Sequence, residues 1–467
     1  MSESQKNIKT SVTLFEEGNK QYDLGNYESA LNLFSESIFQ DSKNWEVFFN
    51  RAIVKNNLGD KYGAIEDYSK VIELNPKDDK SFHKRGELKR QLKDYQGAID
   101  DCSKSIELNP INFRAFGTMA FAKGSLNDHQ GAIDSFTQQL KLSPEEKGVL
   151  FSRALEKSHI KNYQGAIEDL TKIIALNPGA LGALMVRGEF KNCIRDYQSA
   201  IDDFTRIIEF NPDDQDAYHN RGLAKFDLED YQGAIQDYSK SIELNSKIGD
   251  YSKSKDSNLK YENSYFNRGL AKNYIEDYEG AIEDFTKIIE LNPKDEGGYF
   301  NRGVAKRGLE DYQGAIDDYL KVVELNPENE IALRNIGRAK NALREFDEAI
   351  EYYSKAIKLN PENEISHFER GEIKFLQGCY QIFNKDTTNK EHNSAIEDYS
   401  KVIELNPFNY KAFLRRGILK LRLCDYQGAI EDYSQVLKID PENKEALKKR
   451  SDLYKKLSEI DIDKIKD

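Results

Sequence analysis

Apolar residues recur in this chain at helical spacing, in two short runs that always occur together. Residues 296–329 show the pattern clearly, with a break near Gly308 between the runs. The two runs are Tyr299, Phe300, Gly303 and Val304, then Ala315, Ile316, Tyr319, Val322 and Val323. Asn326 and Pro327 follow, and a proline cannot continue a helix. Each such stretch therefore predicts two antiparallel helices joined by a short turn.

A mark at the end of each helix pair, usually proline, gives the period of the pattern. The marks are Ser42, Pro76, Pro110, Pro144, Pro178, Pro212, Ser246, Pro293, Pro327, Pro361, Pro407 and Pro441. They are 34 residues apart except at two places, where 13 and 12 residues are inserted. A fixed period of this length indicates stacked repeats without one central core. The sequence thus predicts an all-α fold, an α-solenoid of antiparallel helix pairs.

The repeats also define the expected domain organisation. Residues 1–10 are expected to be disordered, residues 11–248 to form seven repeats, and residues 262–443 to form five more. Residues 444–467 are predicted to form a C-terminal capping helix and tail, because the last repeat would otherwise expose an apolar face.

Two insertions interrupt the period. The first, 249–261, is rich in Ser, Lys and Asp and is predicted to be a polar surface loop between the two blocks of repeats. The second, near 378–390, falls between the two helices of repeat eleven. It is predicted to be a lengthened helix end followed by a loop.

We number the positions of each repeat so that its proline mark is position 32. Three positions then resemble the pattern of a known family. Position 8 is Gly or Ala in every repeat, position 20 is always Ala, and position 24 is bulky in eleven of the twelve. This pattern resembles the tetratricopeptide repeat family over about residues 11–443. The resemblance implies a right-handed superhelix whose first helices line a concave groove, with positions 2, 5, 6, 9, 12 and 13 facing it.

Arginine at position 7 and aspartate at position 23 occur together or not at all. Nine repeats carry both, and three lack both. The nine combinations are Arg51 with Asp67, Arg85 with Asp101, Arg153 with Asp169, Arg187 with Asp203, Arg221 with Asp237, Arg268 with Asp284, Arg302 with Asp318, Arg370 with Asp398 and Arg416 with Asp432. We expect an ion pair between the two helices of one repeat. The alternative is that these arginines bind anions.

Composition narrows the functional class. The net charge of −13 disfavours a general nucleic-acid binder, since phosphate contacts need surplus cations. Four scattered cysteines predict free thiols in a reducing compartment, and no long apolar run predicts a membrane span, so we expect a cytoplasmic protein. The six histidines show no metal-ligand spacing and no phosphate-binding glycine loop occurs. We therefore expect neither a cofactor nor an enzyme.

Two functions fit a chain of this kind. The first is a scaffold or adaptor that binds peptide segments of protein partners in its groove. The second is a non-catalytic regulatory or assembly subunit of an enzyme complex. Aromatic rings at position 5 are relevant to the scaffold function. They either pack between neighbouring first helices or form a ladder of rings that binds a peptide. These rings are Phe15, Phe49, Phe151, Phe266, Phe300 and Phe368.

A further resemblance suggests where the groove would hold a carboxylate. Three-repeat modules of this family clamp the C-termini of chaperones with two basic residues, two asparagines and a first lysine. The matching places here are Phe15, Asn19, Asn50, Lys80 and Lys84, so Phe15 replaces the first lysine. A second basic cluster consists of Arg334, Arg338, Lys411 and Arg415, with Glu369 and Glu372 between them. We expect one of these two segments to receive an acidic peptide or a free C-terminus.

Overall fold

A computed structural model describes residues 3–247, 255–380 and 385–466 of the chain. Throughout these ranges the only regular secondary structure is α-helix. The helices are α1 (Glu3–Asp23), α2 (Tyr27–Gln40), α3 (Trp45–Asn57), α4 (Lys61–Leu74), α5 (Asp79–Gln91), α6 (Tyr95–Leu108), α7 (Phe113–Ser125), α8 (His129–Leu142), α9 (Lys147–His159), α10 (Tyr163–Leu176), α11 (Leu181–Cys193), α12 (Tyr197–Phe210), α13 (Gln215–Asp227), α14 (Tyr231–Lys247), α15 (Lys255–Tyr274), α16 (Tyr278–Leu291), α17 (Glu296–Gly308), α18 (Tyr312–Leu325), α19 (Glu330–Ala342), α20 (Phe346–Leu359), α21 (Glu364–Tyr380), α22 (Lys385–Leu405), α23 (Tyr410–Arg422), α24 (Tyr426–Ile439) and α25 (Lys444–Lys466).

Odd-numbered helices from α1 to α23 are the first helices of the twelve repeats, and the even-numbered helices are their partners. The predicted all-α solenoid is therefore confirmed. The chain divides into two compact units, an N-terminal unit (Met1–Leu228) and a C-terminal unit (Glu229–Asp467). The boundary lies inside repeat seven, between α13 and α14.

Helix α1 begins at Glu3, inside the stretch 1–10 for which disorder is expected. Residues 3–10 contain neither proline nor glycine, so nothing in this stretch interrupts the helix.

At the first insertion, 249–261, residues 248–254 lie outside the described residues, and the backbone from Lys255 onward belongs to α15. At the second, near 378–390, residues 381–384 lie outside them. The flanking residues lengthen α21 to 17 residues and α22 to 21, whereas the helices of repeat nine have 13 and 14.

The small residue at position 8 lets the bulky side chain at position 24 pack directly against the first helix. A Cβ added at Gly303 would lie only 2.7 Å from Cε1 of Tyr319, and the same distance separates such an atom at Gly188 from the Phe204 ring. Both rings are fully buried. The close approach of the two helices in these repeats therefore depends on the small residue at position 8.

The predicted ion pair between helices is present in eight repeats, with Nη2–Oδ1 distances between 2.5 and 2.7 Å. The pairs are Arg51–Asp67, Arg85–Asp101, Arg153–Asp169, Arg187–Asp203, Arg268–Asp284, Arg302–Asp318, Arg370–Asp398 and Arg416–Asp432. Arg221 belongs to the N-terminal unit and Asp237 to the C-terminal unit. In each of the eight, the aspartate is buried.

Two further partners of this ion pair were not foreseen. In repeat six, Lys191 at position 11 contacts Asp203 at 2.8 Å, and Arg187 Nη1 donates to Thr171 Oγ1 of the preceding repeat at 3.0 Å. The same two contacts recur in repeat three, through Lys89 and Ser69. In both arginines, Nε and Nη2 donate to the aspartate and Nη1 donates to the hydroxyl of the preceding repeat. Because all three guanidinium nitrogens have partners within the fold, the interpretation of these arginines as anion-binding groups is disfavoured.

Helix α25 packs on repeat twelve as a further first helix would. Its buried residues Ala446 and Leu453 join the apolar cluster of Tyr433 and Val436. Arg450 stands at position 7 of this helix and donates to Ser434 Oγ at 3.4 Å. The contact repeats the link between neighbouring repeats seen elsewhere, so α25 covers the apolar face of repeat twelve.

Candidate peptide-binding face on the first helices

Four cavities adjoin one another along α1, α3, α5 and α7 of the N-terminal unit. Their volumes are about 290, 240, 390 and 450 Å³ in chain order. Neighbouring cavities share lining residues: Asn50 joins the first two, Lys80 the second and third, and His83 the third and fourth. We call this row of cavities the first-helix face.

Side-chain caps fix the starts of α3, α5 and α7 and therefore the placement of these helices along the face. The carboxylate of Asp78 accepts from the backbone N–H of Ser81 at 2.9 Å at the start of α5. Asn112 does the same for Ala115 at 3.3 Å at the start of α7. Such caps satisfy backbone donors that the helix itself leaves free. They recur because Asp or Asn recurs two residues after the proline mark.

The four clamp residues lie along the first-helix face in sequence order. Asn50 Nδ2 donates to Asn19 Oδ1 at 2.7 Å, and the two side chains line the first cavity. Asn50 and Lys80 line the second cavity, and Lys80 and Lys84 line the third. No single one of the four cavities contains all of them. The structure brings them together in pairs and arranges them as a row.

Phe15 occupies the place of the clamp's first lysine and lines the second cavity with Trp45 and Phe49. This end of the face is therefore aromatic instead of cationic. Lys84 is not a free cation, because its Nζ lies 3.0 Å from Glu87 Oε2. The exchange of a lysine for Phe15 removes one charged hydrogen bond to a bound carboxylate and adds an apolar wall.

Carboxylates also line these cavities. Glu46 and Asp78 lie with Lys80 in the second, and Glu87 and Glu146 lie in the fourth. The face is accordingly a sequence of separate cationic and anionic contacts. Burial lowers the pKa of His83, despite the opposing charge of Glu87, so its ring is neutral at pH 7.

The position-5 rings pack first against the position-24 rings of their own repeats. Ring centroids are 5.9 Å apart for Phe266 and Phe285 and 5.7 Å apart for Phe300 and Tyr319. Phe266 also reaches the next first helix, because a Cβ added at Gly297 would lie 3.1 Å from its Cε2. Phe266 and Phe300 are both half-buried, so part of each ring stays open to a ligand.

Acidic side chains neutralise most of the second basic cluster. Arg338 Nε donates to Glu369 at 2.7 Å, and Arg415 Nε donates to Glu372 at 2.9 Å. Glu372 also accepts from Tyr399. Of the remaining two, Lys411 is exposed, whereas the buried Nε of Arg334 has no hydrogen-bond partner among the described residues.

Two cations of the first-helix face were not among the predicted site residues. Arg114 lines the third and fourth cavities, and Arg90 lines the fourth. The sequence contained a signal for both, because Arg114 stands at position 2 and Arg90 at position 12, two of the positions expected to face the groove.

In the part of the chain that the structure describes, no cluster of His, Cys, Asp and Glu has a metal-binding arrangement. None of the described helices is both long and apolar enough to cross a membrane.

Stacked antiparallel helix pairs of this kind form an α-solenoid, which is the fold of a protein-interaction scaffold. The chain belongs to the tetratricopeptide repeat family. Models of that repeat match residues 15–79, 79–112, 216–248, 262–295, 297–329, 331–363 and 389–444. Proteins of this family are typically non-catalytic scaffolds. No curated protein matches the chain significantly.

Among solved structures, the chain is similar to the C-terminal part of a TPR repeat-containing protein from Cytophaga hutchinsonii. The identity is 17%, with 57% of this chain and 98% of that chain covered and a TM-score of 0.48. Yeast Tom70 matches with 16% identity, 97% and 96% coverage and a TM-score of 0.35. YrrB, a TPR protein with an unusual peptide-binding site, matches with 20% identity, 46% and 97% coverage and a TM-score of 0.35. At these TM-scores the similarities carry no information about function.

Proposed function

We propose that the chain is a protein-interaction adaptor whose first-helix face binds an extended acidic peptide or the free C-terminus of a partner. The continuous row of four cavities over α1, α3, α5 and α7 is the observation that carries this proposal. Packed helices lie about 10 Å apart, so four of them span about 30 Å. An extended segment of about nine residues covers that length.

Two cations of the face are available to such a ligand. Neither Lys80 nor Arg114 has a carboxylate within ion-pair distance among the described residues. Asn19 and Asn50 add amide donors at one end of the row. A ligand carboxylate beside the exposed Lys80 would gain a charge-assisted hydrogen bond.

The interleaved carboxylates define what kind of acidic ligand fits. Glu46 and Asp78 share the cavity of Lys80, so a uniformly acidic segment would be repelled there. A peptide with one or two acidic groups, placed to meet Lys80 and Arg114, avoids that repulsion. The face therefore favours spaced acidic groups over dense negative charge.

A peptide selection on the full chain tests this proposal. The probe is a displayed library of random peptides of about twelve residues with free C-termini. We expect selected peptides to be enriched in Asp, Glu or a terminal carboxylate at a fixed place. A synthetic copy of a selected peptide should bind up to about fivefold more weakly after Lys80→Ala, and more weakly at about 300 mM than at about 50 mM salt.

Lys104→Ala is the matched control, because Lys104 lies on α6, the second helix of the same repeat, and pairs with Glu107 at 2.7 Å. It should leave the affinity unchanged. Comparison of the selected peptide with its C-terminal amide separates recognition of a terminal carboxylate from that of side chains. Peptides whose binding ignores Lys80→Ala, or a library without any enrichment, would contradict the proposal.

A further inference from the structure

Repeat four departs from the other repeats at two positions that contact each other. Position 5 is Gly117 here, and a Cβ added to it would lie 2.6 Å from Gln139 Oε1. Elsewhere position 5 carries a side chain: Phe15, Phe49, His83, Phe151, Met185, His219, Phe266, Phe300, Arg334, Phe368 and Leu414. Gln139 stands at position 27, which is otherwise Ser37, Val71, Ser105, Ile173, Ile207, Ser241, Ile288, Val322, Ala356, Val402 and Val436.

Together these departures produce the fourth cavity of the first-helix face. It has a volume of about 450 Å³, and Gly117 and Gln139 both line it. A ring at position 5 would occupy this space, and a small or aliphatic residue at position 27 would leave it without a polar group. The cavity is therefore particular to repeat four.

Two residues that line this cavity each have a buried side-chain atom without a hydrogen-bond partner among the described residues. The atoms are Oε1 of Gln139 and Nε of Arg90. Gln139 is only 5% exposed, and the Arg90 guanidinium lies over the half-exposed ring of Phe121 at 5.7 Å. Buried polar atoms in folded proteins are nearly always hydrogen-bonded, so an acceptor and a donor without partners point to a missing ligand group.

We propose that this cavity holds the side-chain carboxamide of an asparagine or glutamine in the bound peptide. A carboxamide supplies an N–H for Gln139 and a carbonyl oxygen for Arg90. It can also pair with the whole amide of Gln139, because each of the two groups carries both a donor and an acceptor.

Other side chains fit the cavity less well. A carboxylate offers no donor to Gln139 Oε1 and meets Glu87 and Glu146, which line the same cavity. A lysine or arginine would face Arg90 and Arg114. An aliphatic side chain would leave both buried polar atoms without a partner and would gain no hydrogen bond from either. A neutral planar amide meets all these requirements.

This inference rests on the proposed function, since it assigns a side chain to a peptide on the same face. The test repeats the selection with the same random library on the wild-type chain and on Gln139→Ile, which installs the residue of repeats five and six. We expect wild-type selections to share Asn or Gln at a fixed spacing from the acidic residue. Gln139→Ile should retain the acidic residue and lose the amide preference.

A direct affinity measurement follows with a synthetic selected peptide. Replacement of its amide residue by methionine should weaken binding to the wild type about tenfold, and binding to Gln139→Ile less than about threefold. Gln138→Ile, at the exposed neighbouring position of α8, is the control and should behave as the wild type. Gly117→Phe restores the ring of other repeats and should exclude the amide, while circular dichroism verifies folding.

The outcomes separate the two proposals. Acidic residues enriched without any amide preference would overturn the carboxamide site and leave the proposed function standing. An amide preference that persists in Gln139→Ile would also overturn it. A library with no enrichment at all would contradict the proposed function and the carboxamide site together.

Discussion

Arg187 donates to both carboxylate oxygens of Asp203 on the facing helix of the same repeat, with Nε–Oδ2 at 2.8 Å and Nη2–Oδ1 at 2.5 Å. Lys191 approaches the same carboxylate at 2.8 Å, and Asp203 is only 2% exposed. Since Arg187 also donates to Thr171 of the preceding repeat, one buried carboxylate organises three helices. The recurrence of this contact set makes it part of the repeat itself.

Replacement of Asp203 by alanine should therefore destabilise repeat six strongly. Arg187 and Lys191 would keep their partly buried positions without a carboxylate, and a buried cation without its partner typically costs about 3–5 kcal/mol. Amide hydrogen exchange of α11 and α12 measures this cost in the affected repeat itself.

Glu348→Ala provides the comparison. Glu348 accepts from Lys340 at 2.6 Å but is 55% exposed, and repeat ten lacks the Arg–Asp pair. Exposed ion pairs contribute less than about 1 kcal/mol, so exchange in α19 and α20 should hardly change. Equal costs for the two substitutions would show that burial of Asp203 does not determine the strength of its contacts.

The period and the joint occurrence of Arg and Asp were sufficient to predict the helix pairs and the ion pair between them. Both follow from contacts within one repeat, which a single stretch of sequence encodes. The contacts of Lys191 and Thr171 were missed although lysine stands at position 11 in eleven of the twelve repeats. Thr171 belongs to the preceding repeat, and its contact depends on how repeats stack.

The site was predicted less completely for the same reason. Asn19 and Asn50 were expected near each other, and the structure joins them by a hydrogen bond. The distance of Lys80 and Lys84 from Asn19 depends on how far each first helix is displaced from the one before it. The cavity beside Gly117 requires the absence of a ring and the presence of Gln139 on another helix. Local sequence patterns do not encode that combination.

Alanine substitutions at two glycines with open surroundings should change the free energy of unfolding in opposite directions. Gly59 has a φ of +88° in the turn between α3 and α4, whereas Gly182 lies in α11, and neither has an atom within 4 Å of an added Cβ. Gly59→Ala should lower the free energy of unfolding by about 1–2 kcal/mol through backbone strain. Gly182→Ala should raise it by up to about 1 kcal/mol through helix propensity. Urea midpoints of both variants measure these changes, and shifts of the same sign would contradict this account.

Thiol reactivity should distinguish buried from exposed cysteines. Burial raises the pKa of Cys102 to about 12, so its thiol is protonated at pH 8 and also inaccessible. Cys193 and Cys424 are exposed. We expect Ellman's reagent to label these two quickly and Cys102 only after unfolding in urea. Peptide mapping of the labelled chain assigns each site, and early labelling of Cys102 would show that α6 opens easily.

Asp398 gives repeat eleven a pH-dependent contribution to stability. Burial by itself would favour its neutral form, but the hydrogen bonds of Arg370, the charges of Arg370 and Lys374, and the His367 ring, whose Nδ1 lies 3.7 Å from Oδ1, outweigh burial and lower its pKa from 3.8 to about 2. Lys374 Nζ lies 2.8 Å from Oδ2. A carboxylate whose pKa is lower in the folded state stabilises the fold above its unfolded pKa, and that contribution disappears as the pH falls through the folded pKa.

The difference in unfolding free energy between the wild type and Asp398→Asn should therefore depend on pH. Above about pH 4 the full contribution is present, and between about pH 4 and pH 2 the difference should shrink by about 2 kcal/mol. Urea unfolding followed by circular dichroism at several pH values measures it. Glu351→Gln serves as the control, because Glu351 is 61% exposed and pairs with Lys355 on the surface at 2.7 Å. A difference for Asp398→Asn that stays constant from pH 5 to pH 2 would show that the ionised carboxylate of Asp398 does not stabilise repeat eleven.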